Sequence, residues 1–523
     1  MKSSKSEFLW HIWTFLLLAA GYLLFLGKAP LFLEEPRRAI ITLEMLKSHQ
    51  YWALTQLGEW YYYKPPMYNW IQAPFALLGT GFQEFFLRLP TVLATFIGGW
   101  LIFRIGKEWG NPSLGRTAAL LFLTFSGILF YFSLLAEIDL VYALIAFSGI
   151  LVIFYFGQRN QHWLVFLFSY LFCAIGVLTK GLPSFAFTAI SLLVYYTDRR
   201  QFHQLLRLPH FAGIGLLSII LAGYAWKYSR YNNPVFLLET LVGESSERTL
   251  AGHSPTEFII HLLQFPLEWV LDLLPGGLLL VLWLRRDWKA LLFERNPLIR
   301  FSAMMLLANI LVYWTAPGTR MRYVYPLYPF AAILLAWAWQ HRQEAAIWTL
   351  AVFRTGTRLF LLLAALLCLA LPFIPDLTFL PWRYALSIGG LSFFGWAFWL
   401  GSRKDSALLP ILFLALAIGR IIFDLSVLPQ RAFAGESKSN KDLAEKIAAR
   451  TGQASVYYYG QAKVLSYTTT FYLDKVRKKP VVLQDQLQRG QFYLMPATLA
   501  GPKDSILLQT IYQDTTKVLI KKN

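Results

Sequence analysis

Two acids and two arginines stand close together shortly after the first apolar segment of the chain. Glu34 and Glu35 are separated from Arg37 and Arg38 by a single proline. Proline is favoured in the first turn of a helix, where carboxylates are also stabilised, so the pattern predicts a helix with the acids at its N-terminus. A carboxylate placed there can accept a proton from a reacting group. The arginines can bind an anionic ligand.

The same stretch has a second interpretation. It also fits a capped amphipathic helix that lies on the membrane surface and has no chemical role. In that case the apolar side chains of the helix would face lipid, namely Ile40, Ile41, Leu43 and Leu46. The residues of this stretch alone leave both interpretations open.

A lysine in an aromatic run follows in the same loop. Lys64 comes directly after Tyr61, Tyr62 and Tyr63, and it precedes a pair of prolines that fix the chain and open the next helix. A lysine held at headgroup depth can bind a lipid phosphate, with tyrosine hydroxyls as further donors. The alternative is an interfacial aromatic anchor with a snorkelling lysine.

Further charged side chains fall in turns that we place on the same face. Asp139 follows Glu137 in a very short turn, where a carboxylate can orient an arginine of the first loop or assist as a second acid. Lys180 lies in another tight turn, and a later loop adds candidate contacts to an anion or a sugar phosphate: Arg320, Arg322 and Tyr323. A polar turn and an ordinary basic and aromatic belt are the alternatives. The longer loop 230–265 fits a mobile gate and carries Glu244, Glu247, Arg248, His253 and His261.

Composition identifies a membrane protein. The 523 residues are 56% hydrophobic and 15% charged, whereas soluble domains average about 25% charged residues. The net charge of +19 is explained better by lysines and arginines in loops, where membrane topology and anionic lipid favour them, than by nucleic-acid binding. The two cysteines lie in apolar runs, so they offer no disulfide framework. No nucleotide-binding or zinc-protease motif occurs.

Apolar segments predict about thirteen transmembrane helices. We place them near 8–27, 88–106, 117–135, 140–157, 162–178, 183–197, 211–229, 268–284, 301–315, 325–340, 359–375, 384–401 and 408–428. Lysines and arginines in the short loops predict a cytoplasmic N-terminus. The first external loop, 28–87, is expected to contain interfacial helices, and residues 1–430 to form the membrane domain.

Residues 431–523 change in character and predict a small soluble α/β domain, which thirteen spans would put on the side opposite the N-terminus. A helix is expected over 440–450 and is closed by Gly452. Five β-rich runs follow, at 455–459, 480–483, 492–495, 506–512 and 517–520.

These motifs resemble the membrane glycosyltransferases with the GT-C fold, in particular the family of the bacterial lipid A aminoarabinose transferase and the protein O-mannosyltransferases. The resemblance rests on an acid after the first span, an arginine three residues on, and a Tyr-x-x-Lys-Pro-Pro motif in the same loop. It implies a mostly α, polytopic membrane protein with a small C-terminal domain in the periplasm. It also implies transfer of a sugar from a polyprenyl-phosphate carrier, with inversion, at the outer face of the bacterial inner membrane.

The resemblance assigns roles by position. Glu34, or its neighbour Glu35, takes the place of the usual catalytic aspartate, and Asp139 matches a second acidic position. Arg37 matches the arginine near the catalytic acid, and Tyr61 and Lys64 match the contacts to the carrier phosphate. The other candidate contacts to the phosphate or substrate rest on residue type and loop position: Lys180, Arg320, Arg322 and Tyr323. Spacing favours Glu34 as the base. Tyr63 stands where an acid that can touch a metal is often found, so a divalent metal stays possible but is not specified.

The implied partners are a polyprenyl-phosphate-linked sugar donor, membrane lipids, and an acceptor that is a lipid A-type glycolipid, a protein or an envelope glycan. Nucleic acid is not expected. A transporter or flippase of lipid-linked sugars would use the same headgroup contacts without breaking a bond, and it would require a charged pathway through the spans. A non-catalytic scaffold would leave the clustering of charges on one face unexplained.

Overall fold

The computed structural model describes residues 2–247, 254–461 and 463–523. These residues form a mostly helical protein followed by a small sheet. The α-helices are α1 Lys2–Leu23, α2 Glu35–Ser48, α3 Met67–Ala76, α4 Glu84–Trp109, α5 Pro112–Thr124, α6 Ser126–Phe130, α7 Ile138–Gly157, α8 His162–Lys180, α9 Pro183–Asp198, α10 Leu208–Tyr228, α11 Pro234–Ser246, α12 Pro255–Asp272, α13 Trp288–Phe293, α14 Pro297–Trp314, α15 Tyr328–Gln340, α16 Ile347–Ala370, α17 Arg383–Arg403, α18 Leu408–Ala434, α19 Glu436–Thr451 and α20 Tyr467–Arg477. The strands are β1 Thr55–Gln56, β2 Glu59–Trp60, β3 Val456–Tyr458, β4 Val482–Leu483, β5 Phe492–Pro496, β6 Ser505–Tyr512 and β7 Thr515–Lys521.

Eight of the described helices are long and apolar enough to cross a membrane, and up to ten spans result if each of two bent pairs counts as one. The bent pairs are α5 with the segment Ser126–Leu134, at 50°, and α12 with the 3-10 helix Gly276–Trp283, at 120°. The predicted count of about thirteen spans is therefore higher than the eight to ten that meet this criterion. The other three predicted spans correspond to the shorter apolar helix Trp10–Leu23, to α9 and to α15. The chain is a multi-pass membrane protein.

The helix α15 forms the centre of the bundle. It is apolar on every side and all but its last residue is buried, as expected of a helix surrounded by others. It packs against α5 and α14, while α1 packs against α18 and α7 against α8. By contrast, α10, α16 and α17 keep large apolar side chains exposed, for example Ile219 and Leu367. Such faces suit contact with lipid.

The first loop folds into two helices and a hairpin on one face of the bundle, which we call the site face. Pro36 lies in the first turn of α2, as the sequence predicts. The strands β1 and β2 pair antiparallel through the two-residue turn Leu57–Gly58, both with positive φ, the geometry of a tight hairpin. Three of the side chains that a surface helix would turn to lipid, Ile40, Ile41 and Leu43, are instead almost fully buried inside the protein.

The C-terminal residues form a five-stranded sheet in the order β4-β3-β5-β7-β6. It is parallel across β4, β3 and β5 and antiparallel across β5, β7 and β6. Each of the five predicted β-rich runs overlaps one of these strands, and α19 covers the predicted helix. The helix α20 was not predicted.

The sheet domain is joined to the first loop by a common core. Apolar side chains of α2 cluster with those of α19, α20 and the sheet. The Tyr472 hydroxyl lies 2.9 Å from the Leu31 amide and donates to Glu84 at 2.8 Å. The Leu483 amide donates to the Leu57 carbonyl at 3.0 Å, and this hydrogen bond links β4 to the turn of the hairpin. These contacts fix the first loop between the membrane helices and the sheet.

Candidate active site

The two neighbouring acids at the start of α2 point in different directions. Successive residues of a helix are rotated by about 100°, so one acid can face a cavity while the next faces the interior. The side chain of Glu34 is 43% exposed and pairs with Arg37 at 3.2 Å. The residue before it, Leu33, has a φ of 56°, a strained value for a leucine. Glu34 therefore stands at an open edge of the helix.

Glu35 is fully buried and is held by Arg88 on both oxygens. Arg88 Nε lies 2.8 Å from Oε1, and Nη2 lies 2.9 Å from Oε2. Backbone amides complete the set, since Ala136 donates at 2.7 Å and Phe32 at 3.1 Å. Arg88 also donates to the carbonyl oxygens of residues 26, 29 and 30. Glu35 was predicted as a candidate base, but the structure buries it in contacts that join α2, α4 and the turn before α7.

The aromatic run faces the arginines of α2. The guanidinium of Arg37 lies 5.2 Å from the ring centre of Tyr61 and 5.0 Å from that of Tyr63, within the range of cation–π attraction. Arg38 is buried and donates from Nη1 to the Tyr61 hydroxyl at 2.8 Å. Lys64 donates to the Tyr63 carbonyl at 2.8 Å. These contacts order the cations of the first loop.

Lys64 forms an ion pair with Glu244, the side chain of which comes from α11. The pair is partly exposed, at 14% for the lysine and 22% for the glutamate. Because α11 belongs to the loop that we singled out as a possible gate, this contact brings that loop to the site. Of the other charged residues of the loop, Arg248 and His253 lie outside the described residues, and His261 contacts the Tyr313 carbonyl at 3.1 Å, away from the site.

The start of α7 supplies two further acids, Glu137 just before the helix and Asp139 in its first turn. Asp139 accepts from Lys180 at 2.6 Å, and both side chains are almost fully buried. Arg322 lies 3.2 Å from Glu137 and 3.9 Å from Asp139. Lys180 also lies 4.7 Å from the ring centre of Tyr323. A lysine, an arginine and two carboxylates thus form one network.

Burial and the charge of Asp139 raise the pKa of Glu137 to about 8, although Arg322 acts in the opposite direction. A carboxyl with such a pKa is mainly protonated at neutral pH. Perturbed pKa values of this kind are common in functional sites.

These side chains line a single cavity of about 350 Å³. Nine of the ten predicted site residues border it, and Glu35 is the exception. The complete lining is Glu34, Arg37, Arg38, Tyr61, Tyr63, Lys64, Glu137, Ile138, Asp139, Lys180, Glu244, Glu247, Gly318, Arg320, Arg322 and Tyr323. Arg320 is exposed and makes no ion pair with any described residue. We call this space the donor cavity.

Sequence reasoning missed several of these residues. Arg38 was seen only as the neighbour of Arg37, and Glu137 only as part of the turn that holds Asp139. Glu244 and Glu247 were assigned to a gate without a partner. No local pattern identifies them, because each reaches the cavity through contacts distant in the sequence.

The residues present do not form an evident metal site. Tyr63 packs against Arg37 at the position where an acid would be needed. Among the described residues, no group of three or more histidine, cysteine, aspartate or glutamate side chains is placed to hold a metal ion. We therefore derive no step through a metal.

Residues 63–226 match a family model described as dolichyl-phosphate-mannose-protein mannosyltransferase. Among curated proteins, the chain is 25% identical over 317 residues to an undecaprenyl phosphate-alpha-4-amino-4-deoxy-L-arabinose arabinosyl transferase of Pseudomonas fluorescens, covering 58% of this chain and 52% of that protein. It is 26% identical over 339 residues to the protein of that name in Pseudomonas aeruginosa, covering 62% and 58%. The match thus spans somewhat over half the length of these two relatives.

Among solved structures, ArnT from Cupriavidus metallidurans bound to undecaprenyl phosphate superposes with a TM-score of 0.73 at 17% identity, over 98% of this chain and 97% of that one. The apo state of the same protein gives 0.71 at 18% identity, over 97% of each chain. The chain has the GT-C fold. This confirms the resemblance inferred from the sequence and the predicted fold class, including the C-terminal domain with its sheet.

Within the GT-C fold, the positions carried over by motif fall together. Glu34, Arg37, Tyr61 and Lys64 all border the donor cavity. The sequence alone placed them only in the same loop. The fold brings the turn of Asp139 beside them.

Proposed function

We propose that this chain is an inverting glycosyltransferase that moves a sugar from a polyprenyl-phosphate carrier to an acceptor at the outer face of the inner membrane. The acceptor class that we favour is a lipid A-type glycolipid, before a protein or another envelope glycan. The observation that carries the proposal is the donor cavity, in which an exposed carboxylate, Glu34, shares the lining with several cations near the ends of α7 and α8.

The cavity offers groups for both the attacking acceptor and the leaving phosphate of a single-displacement reaction. Glu34 accepts the proton of the acceptor hydroxyl while the acceptor oxygen forms a bond to the anomeric carbon. The bond between that carbon and the carrier phosphate oxygen breaks, and the polyprenyl phosphate leaves with the bonding electrons. A positioned base contributes about 100- to 10,000-fold. Lys64 and the exposed Arg320 are placed to stabilise the charge that grows on the phosphate.

The comparisons support the class of donor. The curated relatives carry names that specify an undecaprenyl-phosphate-linked aminosugar, and the similar solved structure was bound to undecaprenyl phosphate. Long isoprenoid carriers require a site at the membrane surface, and the cavity borders the ends of two apolar helices, at Asp139 of α7 and Lys180 of α8. The basic loops support a cytoplasmic N-terminus and, with it, a periplasmic sheet domain.

A flippase is the main alternative, and it would need charges along a path through the spans. The spans do contain one buried pair that the sequence analysis passed over, Arg420 with Asp424 at 2.8 Å. Arg420 also donates to Ser133 at 2.9 Å and to the Leu129 carbonyl, so the pair is used to hold α18 to the bent segment after α5. Neither residue borders the cavities described here. A closed contact of this kind gives no support to a pathway.

The test is sugar transfer by the full-length protein in lipid nanodiscs, with a synthetic polyprenyl-phosphate sugar as donor. We expect transfer by the wild type and a loss of about 100-fold or more in Glu34→Gln and in Lys64→Ala. Glu59→Gln is the matched control, because Glu59 is an exposed acid of the same loop that does not border the cavity. Undiminished turnover in both variants would refute the assignment. Movement of intact donor across vesicles without any product would favour the flippase.

A further inference from the structure

A second cavity of about 410 Å³ lies between the first loop and the sheet domain. Its walls come from residues 30–33, from the junction of α18 and α19, and from the first turn of α20. The side chains that matter below are Leu33, Arg431, Asn440, Lys463, Ser466 and Tyr467. None of these residues was predicted from the sequence as part of a site.

The second cavity adjoins the donor cavity at the proposed base. Leu33 borders the second cavity, and the next residue, Glu34, borders the donor cavity. On the other side of this junction, the guanidinium of Arg37 lies 5.8 Å from the ring centre of Tyr467. Glu34 is thus one residue away from the lining of the second cavity, and a base must be within reach of both reactants if they enter from different sides.

The second cavity is suited to an anion. Arg431 and Lys463 border it, and neither forms an ion pair with any described acid. Their charged groups rest on aromatic rings instead: Arg431 lies 4.8 Å from the ring centre of Phe32, and Lys463 lies 4.5 Å from that of Tyr467. Glu436 is the one acid in the described lining. These two cations therefore hold no carboxylate of the described residues, whereas Lys64, Lys180 and Arg322 of the donor cavity each do.

The remaining lining is suited to a sugar. Asn440 and Ser466 offer an amide and a hydroxyl, and the rings of Tyr467 and Tyr512 provide flat surfaces. The first turns of α19 and α20 both border the space, and helix N-termini add a positive electrostatic contribution.

We infer that this second cavity binds the acceptor, through an anionic sugar headgroup whose attacking hydroxyl reaches Glu34. The inference rests on the proposed function and specifies its acceptor side. The anion contacts Arg431 and Lys463, and the sugar lies against Tyr467. The hydroxyl proton passes to Glu34 when the new glycosidic bond forms and the carrier phosphate leaves on the donor side.

The first experiment measures acceptor kinetics with a phosphorylated glucosamine disaccharide that carries acyl chains. In Lys463→Ala and Arg431→Gln we expect the KM for this acceptor to rise about 10-fold or more, the effect of losing one charge-assisted hydrogen bond. The binding of polyprenyl phosphate should be unchanged in both. Lys446→Ala and Arg489→Gln are matched controls, because both residues are exposed in the same domain and do not border the cavity. Unchanged acceptor KM in both cavity variants would overturn the inference while leaving the proposed function intact.

The second experiment measures binding alone, so that it does not depend on turnover. The deacylated phosphorylated disaccharide, the same disaccharide without phosphate, and inorganic phosphate are titrated into the full-length protein by ligand-observed NMR. We expect the phosphorylated disaccharide to bind more tightly than either of the others and to lose about 10-fold in Lys463→Ala. Equal binding of inorganic phosphate, or binding unaffected by Lys463→Ala and Arg431→Gln, would overturn the inference. Binding as expected without any transfer by the wild type would instead count against the proposed function.

Discussion

Exchanging each of the two neighbouring acids for glutamine should give opposite results. Glu34→Gln removes a carboxylate at the edge of the donor cavity, whereas Glu35→Gln removes the partner of a buried arginine. The first variant should fold normally and transfer sugar poorly. The second should be unstable, and any loss of activity should follow the loss of folded protein.

The magnitudes follow from burial. The side chains of Glu35 and Arg88 are 0% and 3% exposed, and removal of one partner from a buried pair costs about 3–5 kcal/mol. The pair of Glu34 with Arg37 is 43% and 18% exposed, so its loss should change the free energy of unfolding by about 1 kcal/mol or less. Transfer by Glu34→Gln should nevertheless fall about 100- to 10,000-fold.

A double variant separates charge from packing. Replacing the pair by Glu35→Leu with Arg88→Met removes both charges, and apolar replacements of buried pairs are often neutral. Recovery should be partial here, because three carbonyl oxygens lose the donor that Arg88 gives them. Each lost hydrogen bond costs about 1 kcal/mol.

The assay compares thermal unfolding, followed by tryptophan fluorescence in nanodiscs, with initial rates of transfer per folded molecule. The reasoning is refuted if Glu35→Gln unfolds at the temperature of the wild type but is inactive, since Glu35 would then act in the chemistry. It is also refuted if Glu34→Gln keeps full activity.

Three further predictions test the site and its support. Glu244→Gln should bind polyprenyl phosphate about 10-fold more tightly, because the carboxylate occupies Lys64 and a charge-assisted hydrogen bond is worth about 1.5–3 kcal/mol; equal affinity would contradict this. Because the pKa of Glu137 is raised to about 8, deprotonation above that pH adds negative charge to the site, so affinity for the carrier should fall between pH 7 and 9 in the wild type. Glu137→Gln should show a smaller fall, and identical pH profiles would refute the assignment. Gly58→Ala should lower the unfolding temperature more than Gly490→Ala. The backbone φ is similar at the two positions, 82° and 79°, but only at Gly58 would the new methyl group approach the sheet domain, 2.9 Å from Val482. Equal shifts in unfolding temperature would indicate backbone strain alone.

Much of the donor cavity could be predicted because the membrane limits where charges lie. Charged side chains are excluded from lipid, so Glu34, Lys64, Asp139 and Lys180 had to gather where the spans end. Their motifs then resembled one family, and the fold confirmed the resemblance. The positions of the spans do not show which of Glu34 and Glu35 faces the cavity, because that depends on how α2 is rotated about its own axis.

The remaining elements depend on contacts that no local pattern records. Arg88 lay at the start of a predicted span, and nothing near it in the sequence indicates that it binds Glu35. Arg420 and Asp424 lie within another predicted span, which was treated as an apolar run. Because they are four residues apart on one helix, the two side chains form an ion pair with each other and can be buried there. The second cavity arises only where the sheet domain meets the first loop.

The balance of charge in the donor cavity determines how a phosphate can bind there. Six cations border the cavity, but five acids do as well. Lys64, Lys180 and Arg322 already hold carboxylates. A phosphate can gain full contact with these cations only by replacing an acid or by finding it protonated. Affinity for the carrier is therefore a difference between two sets of ion pairs, and removal of an acid can strengthen binding as much as removal of a cation weakens it.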